Sequence, residues 1–268
     1  IDLIYADKKV SMFLAPRFDL SFILFFVSLA LLGAAYATII KSGILSAGKE
    51  LIASIVLGTL GTFLFFYSFS NCFLKLVSKM KSVYFKGLNI FTIGQLSSRM
   101  SIEHISISFV CLMLFVAISA ISVGSSVSLS IRINYGANES GTVAAVTYIS
   151  LYIGIVFIVA CASVLAIMQL SGASDNRSRY ELLGKLGASN RLLAESLFKQ
   201  VSFYFALPLI LAVIHSIVAI IVMSKVVLAI GKVNILATSF AAALLIVAIY
   251  GGYFLMTYYS AKRMASLE

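Results

Sequence analysis

The chain has 268 residues, of which 61% are hydrophobic and only 11% are charged, and its formal net charge is +10 at pH 7. Soluble domains carry about 25% charged residues, so this composition excludes a fold that is covered by water on all sides. In a membrane protein an excess of Lys and Arg is explained by cytoplasmic loops, and we therefore expect no nucleic-acid partner. The sequence predicts an all-α, polytopic membrane protein.

Six apolar stretches are each long enough to cross a bilayer, which takes about 20 helical residues. They predict transmembrane helices at Leu20–Ile40, Leu51–Val77, Ile105–Leu129, Val143–Leu170, Leu197–Met223 and Ile235–Tyr258. Fifteen of the 20 Lys and Arg residues fall on one side of the membrane predicted by these spans. That side is then cytoplasmic, together with both chain termini.

The spans and connectors divide the sequence into five parts, and the chain begins with Ile1 and has no apolar leader. We therefore expect a part of a longer protein, and an extracellular domain missing at the connector. The parts are a cytoplasmic segment (1–18), three spans with an amphipathic cytoplasmic segment at 79–103 (19–133), an extracellular connector (134–142), three spans with a cytoplasmic segment at 174–196 (143–262), and a cytoplasmic tail (263–268).

The segment at 79–103 combines basic residues with apolar ones. Its apolar residues are Tyr84, Leu88, Phe91 and Leu96, and the sequence Gly87-Leu-Asn89 predicts a bend before a short helix. A helix of this kind either docks on a cytoplasmic partner or rests on the lipid surface beside a span.

The segment around 174–196 is expected to fold as helix, tight turn and helix. Ser174 or Asp175 can cap a helix over Arg179–Leu186, because short polar side chains accept the free backbone N–H groups of a first turn. Gly187 suits the left-handed position that ends a helix, and Ser189 can cap the helix that follows.

In that first helix Tyr180, Leu183 and Leu186 follow one another at three-residue intervals, which predicts a shared apolar face. Two interpretations stay open from the residues alone. The face can dock into the groove of a cytoplasmic partner. Alternatively, the helix can rest on anionic lipid headgroups through Arg177, Arg179 and Lys185.

Span five contains two unusual residues, Pro208 and His215, seven positions apart. Pro208 is expected to kink the helix, because proline removes a backbone hydrogen bond. A histidine inside a span is a functional candidate, so His215 is either a proton-relay or ligand residue or a buried structural hydrogen-bonding group. The span centres lack Asp, Glu, Lys and Arg, which disfavours an ion-coupled carrier.

The sequence offers no catalytic constellation, no metal-ligand spacing and no nucleotide-binding GxxxxGK[ST] loop. We therefore expect a non-enzymatic chain without a cofactor. Cys72, Cys111 and Cys161 are expected to pack as small apolar residues. Small-residue spacings such as Gly58-Thr-Leu-Gly61 and Ala117/Ala120/Gly124 predict close helix packing.

Three stretches, in this order, resemble FtsX/MacB-like ABC transporter permeases, and among them the bacitracin-export (Bce-type) permeases. "YFKGLNIFTIGQLSSRM" followed by "FVCLMLFVAISAISVG" is similar to the region before that family's large extracellular domain. "TYISLYIGIVFIVACASVLAIMQLSGASDNRSRY" resembles the span after it. "RYELLGKLGASNRLLAESLFKQVSFYFALPLILAVIHSIVAI" resembles the last part of such permeases.

The resemblance implies a non-catalytic permease subunit in the bacterial cell membrane that couples a cytoplasmic ATPase to antimicrobial-peptide export or resistance by mechanotransmission. The implied partners are two copies of an ABC ATP-binding subunit, a sensor histidine kinase and membrane lipids. Full family members have ten spans and a large extracellular domain, whereas this chain has six spans and a short connector. The residues that match the ATPase-coupling helix are Tyr180, Glu181, Leu182, Leu183, Lys185, Leu186, Gly187 and Arg191.

A second function of a different class stays open. The chain can serve as a membrane scaffold that regulates a cell-wall hydrolase or a sensor kinase, as division-type relatives do. In that case the working surface lies outside the cell.

Overall fold

The computed structural model describes residues 18–43, 48–135, 140–230 and 235–266, and these residues form eight α-helices. The predicted segment 1–18, except Phe18, lies outside the described residues, as do 136–139 of the predicted connector and the last two residues of the predicted tail. The helices are α1 (Phe18–Ser42), α2 (Lys49–Lys79), α3 (Lys81–Tyr84), α4 (Asn89–Tyr135), α5 (Ser140–Asp175), α6 (Arg177–Lys185), α7 (Asn190–Ile230) and α8 (Ile235–Met264).

Six of these helices, α1, α2, α4, α5, α7 and α8, are long and apolar enough to cross a membrane. The predicted fold class and the six spans are thereby confirmed, and the chain is a multi-pass membrane protein. Most helices run well beyond the predicted spans. The 47 residues of α4 measure roughly 70 Å at 1.5 Å per residue, more than twice the thickness of a bilayer core.

Helix α4 lies at the centre of the bundle, where it packs against α2, α5, α7 and α8. Its most apolar stretch is 56% buried within the protein, against 17% for α1 at the periphery. Leu114 and Ala117 of α4, Ile158 of α5 and Val201 of α7 pack there with no exposed surface. Any movement of α4 therefore has to move or repack most of the bundle.

Glycines let the central helices approach closely, as the small-residue spacings predict. A Cβ on Gly61 of α2 would lie 2.9 Å from Leu32 of α1, and a Cβ on Gly124 of α4 would overlap the Ser150 hydroxyl of α5. Helices associate in lipid largely through close packing of their backbones, because lipid tails are as apolar as the side chains and no hydrophobic effect drives the association. The three cysteines are free and buried, in agreement with packing as small apolar residues.

The segment at 79–103 departs from its prediction. After α3 the chain turns through Gly87, which has a φ of +56°, and α4 then runs without a break from Asn89 into the membrane. The prediction of a separate short helix is wrong, because no Gly or Pro pair interrupts the sequence after Asn89. Leu96 is buried and Leu88 and Phe91 pack against the core, so this apolar face serves the bundle and not a lipid surface.

The close contact at Gly124 leads to the first prediction. Gly124→Val should lower the free energy of unfolding in detergent by about 1–3 kcal/mol, because the added carbons overpack the α4–α5 contact. Gly251→Val is the matched control, since a Cβ at Gly251 meets no atom within 4 Å. Equal melting temperatures for the two variants would contradict the packing described here.

Candidate partner-docking site

The docking candidate begins where α5 ends. Helix α5 continues to Asp175, and Asn176 alone separates it from α6. Ser174 and Asp175 therefore lie inside α5 and do not cap α6, contrary to the prediction, because nothing in the preceding sequence stops α5 earlier. Asn176 makes no side-chain cap bond; its backbone N–H instead donates to the Gly172 carbonyl at 3.1 Å.

The far end of α6 is built as predicted. Gly187 has a φ of +96°, a left-handed conformation that favours glycine. The Ala188 N–H donates to the Leu183 carbonyl at 3.0 Å, which closes the helix end. The Ser189 hydroxyl then accepts the Leu192 N–H at 3.4 Å and caps α7. This turn holds α6 and α7 in a defined relation.

Tyr180 anchors α6 to the rest of the bundle. Its side chain is 1% exposed, and its ring meets Phe91 of α4 edge to face, with the ring centres 5.6 Å apart. The Tyr180 hydroxyl accepts a hydrogen bond from Gln200 Nε2 of α7 at 3.2 Å. Burial raises the pKa of Tyr180, so the hydroxyl stays neutral and can occupy this enclosed position.

The hydrogen bonds continue from α7 to α4. Gln200 Nε2 also reaches the Ser196 hydroxyl at 3.3 Å, and that hydroxyl lies 2.6 Å from the Thr92 hydroxyl of α4. Thr92 in turn donates to the Leu88 carbonyl at 3.0 Å. Buried polar groups need partners of this kind, and here the partners come from three different helices.

The outward surface of α6 differs from the predicted one. Tyr180 and Leu183 turn toward the core, whereas Leu182 is 58% exposed and Leu186 is 75% exposed. The prediction of one face for Tyr180, Leu183 and Leu186 is wrong, because six positions rotate about 240° around a helix. Leu182 and Leu186, which we call the docking pair, are the exposed apolar residues of this segment.

The other matched residues surround the docking pair. Glu181, Lys185, Gly187 and Arg191 are all exposed. Glu181 accepts from Arg177 at 3.1 Å, but both side chains are more than half exposed, and such pairs contribute little to stability. The outward surface is thus two leucines within a mixed-charge rim, which is the usual composition of a protein-docking surface.

Arg99 fixes the junction between α5 and α6, and sequence reasoning missed it. Its guanidinium donates to Glu103 at 2.9 Å and to the Met168 carbonyl of α5 at 3.2 Å. It also lies against Gly172, where an added Cβ would overlap Arg99 Nη1. The sequence does hold one indication of this contact. Glu103 follows Arg99 by four residues, a spacing that allows an ion pair on a helix, and Glu139 is the only other acidic residue between 51 and 174.

His215 lies in a different part of the bundle. Its Nδ1 pairs with the Tyr36 hydroxyl of α1, and its Nε2 lies 3.0 Å from the Thr62 hydroxyl of α2. Thr62 donates its own proton to the Gly58 carbonyl at 2.7 Å, so it accepts from Nε2–H, and Tyr36 donates to Nδ1. Both ring nitrogens are used, which favours the structural interpretation of His215 over a proton relay.

The residues predicted in span five do not join the docking site. His215 is 24 positions after Arg191 along α7, or about 36 Å at the helical rise. Pro208 is buried within α7, and the helix continues through it. A cavity of about 240 Å³, lined almost wholly by apolar side chains, lies beside His215. Among the described residues, no three His, Cys, Asp or Glu side chains gather as a metal site.

Part of the sequence is similar to a known permease. Over 73 residues, which are 27% of this chain, the sequence is 38% identical to the ABC transporter permease protein YxdM of Bacillus subtilis (strain 168). The match spans 12% of the length of that relative. No protein-family profile and no solved structure matches the chain. The similarity supports a permease role for this membrane protein.

The anchor at Tyr180 leads to the second prediction. Tyr180→Phe keeps the ring but removes the only hydrogen bond described between the Tyr180 side chain and Gln200, so hydrogen exchange in α6 should become about five- to tenfold faster, equivalent to about 1 kcal/mol. Tyr259→Phe is the control, because Tyr259 is 65% exposed. Unchanged protection of α6 in the Tyr180 variant would contradict its anchoring role.

The third prediction concerns the junction. Gly172→Ala should displace the Arg99 guanidinium and break its bonds to Glu103 and Met168. The lost bonds should outweigh the helix propensity of about 1 kcal/mol that Ala gains, so the melting temperature should fall by a few degrees. Gly184→Ala in α6 has open space around its Cβ and should leave the melting temperature equal or slightly higher. A Gly172 variant as stable as wild type would contradict the close fit of Arg99.

Proposed function

We propose that the chain is the membrane-spanning subunit of an ABC transporter, of the FtsX/MacB-like, Bce-type class. The end of the bundle that carries α6 faces the cytoplasm, as do both termini, and α6 is the segment that docks on the ATP-binding subunit. The observation that carries this proposal is the split of α6 into a buried anchor, Tyr180, and an exposed docking pair, Leu182 and Leu186.

The proposed mechanism follows from how α6 is attached. A partner that binds Leu182 and Leu186 can displace α6. Tyr180 of this helix contacts α4 through its ring and α7 through its hydroxyl. Since α4 packs against four other helices, a displacement of α6 has to be shared by the bundle. Two ATP-binding subunits that close on ATP would move α4 in this way. This mechanism is mechanotransmission, and it does not depend on ionisable residues inside the membrane.

In this account the chain itself performs no catalysis and holds no cofactor, and ATP hydrolysis takes place in the partner. The energy of ATP hydrolysis is used for the export of, or resistance to, antimicrobial peptides such as bacitracin. A sensor histidine kinase and membrane lipids are the further partners of such a complex in the bacterial cell membrane.

The fourth prediction tests the docking pair. The full chain is purified in detergent from its native membranes, and the ATPase activity and the proteins that accompany it are measured. Leu182→Asp and Leu186→Asp should each reduce the co-purifying ATPase at least tenfold, because an aspartate in an apolar contact loses its hydration without gaining a partner. Mass spectrometry should identify the lost protein as an ABC ATP-binding subunit.

The control is Ser174→Asp, which adds the same charge at an exposed position of α5. It should retain wild-type ATPase. If the wild-type chain carries no ATP-binding subunit but brings down a cell-wall hydrolase or a kinase, the scaffold function replaces the permease function.

A further inference from the structure

The α6 end of the bundle carries a second concave surface, separate from the docking pair. It is a groove of about 640 Å³ between the turn that follows α3 and the first turns of α7. Its walls include Lys86, Thr92, Leu192, Glu195 and Lys199. We call it the α3–α7 groove.

Polar contacts between α4 and α7 form the floor of the groove. The Thr92 and Ser196 hydroxyls lie 2.6 Å apart, and Lys199 Nζ donates to Asn89 Oδ1 at 3.1 Å. Gly87 faces Leu192 across the groove, and a Cβ at Gly87 would lie 4.0 Å from Leu192 Cδ2, at ordinary van der Waals distance. The floor of the groove is therefore built from bonded side chains on two long helices, and one wall is the turn that follows α3.

The groove carries a small excess of positive charge, because its lining includes Lys86 and Lys199 against one carboxylate, Glu195. No acidic residue occurs between Glu50 and Glu103, and Lys79, Lys81 and Lys86 in this stretch are exposed. Glu195 is the acidic residue of the lining, and it is already paired with Lys199 at 2.8 Å.

Two further cations, Arg191 and Lys86, lie close enough to Glu195 to act on its carboxylate. A single carboxylate thus stands among three basic side chains. An acidic side chain that entered the groove would find uncompensated positive charge.

We propose that the α3–α7 groove receives an acidic segment of the same ATP-binding subunit, as a second contact beside the docking pair. This inference rests on the proposed function. The same helix α7 that leads out of the Gly187 turn forms one wall of the groove, so a single rigid partner can touch both surfaces. The floor of hydroxyl, amide and ammonium groups suits carboxylates and offers an acyl chain little apolar contact.

The test uses the full chain in lipid nanodiscs and the ATP-binding subunit that co-purifies with it, with binding measured by interferometry. Lys86→Glu should weaken binding about tenfold and make it less sensitive to salt, because a favourable charge contact becomes a repulsive one. Lys79→Glu is the matched control: it reverses an exposed lysine of the same segment that does not line the groove, and it should bind like wild type.

The outcomes separate this inference from the proposed function. If Leu186→Asp abolishes binding but Lys86→Glu does not alter it, the groove contact is overturned and the docking pair stands. If the wild-type chain does not bind the subunit, both are overturned. A tenfold loss with Lys86→Glu and none with Lys79→Glu supports the groove.

A membrane surface is the competing occupant, and the chain permits a direct test because it contains no tryptophan. Phe85 is 65% exposed beside Lys86, so Phe85→Trp places a single fluorophore at the rim. An emission shift on addition of the subunit supports the proposal. Quenching by brominated phosphatidylglycerol in nanodiscs without the subunit would assign the rim to lipid and overturn it.

Discussion

The burial of Tyr180 between α4 and α7 is the constraint that sets the outward surface of α6. A nine-residue helix is too short to be stable alone, so α6 takes its orientation from whatever holds it. The Phe91 ring and the Gln200 amide hold the Tyr180 side of α6. Because that side faces the core, Leu182 and Leu186 point outward. The turn at Gly187 then sets the start of α7 beside them.

The same principle operates elsewhere in the bundle, where two further buried or half-buried polar groups bond to other helices. Arg99 ties α4 to α5 next to the α6 junction, and His215 ties α7 to α1 and α2. These contacts are directional, whereas lipid-facing apolar packing is not. They explain how helices that approach one another at small residues keep one arrangement.

The sequence was sufficient for features that depend on local chemistry. Hydrophobic length predicted the six spans, and the left-handed Gly187 and the Ser189 cap followed from their residue types. The close packing at Gly61 and Gly124 also followed from spacing. Features that depend on tertiary contacts were not accessible. The start of α6 depends on where α5 stops, and the inward turn of Leu183 and the outward turn of Leu186 depend on which side Tyr180 packs. The Arg99–Gly172 contact joins residues 73 positions apart, which no local pattern encodes.

The most direct test of this account is site-specific photo-crosslinking in native membranes, with benzoylphenylalanine introduced in turn at Leu186 and at Leu183. Leu186 is exposed and Leu183 packs against the core, although they lie three residues apart. The account predicts a crosslink from position 186 to an ABC ATP-binding subunit, and from position 183 only products within the chain. Crosslinks from position 186 to lipid alone, or equal crosslinking to the subunit from both positions, would contradict it.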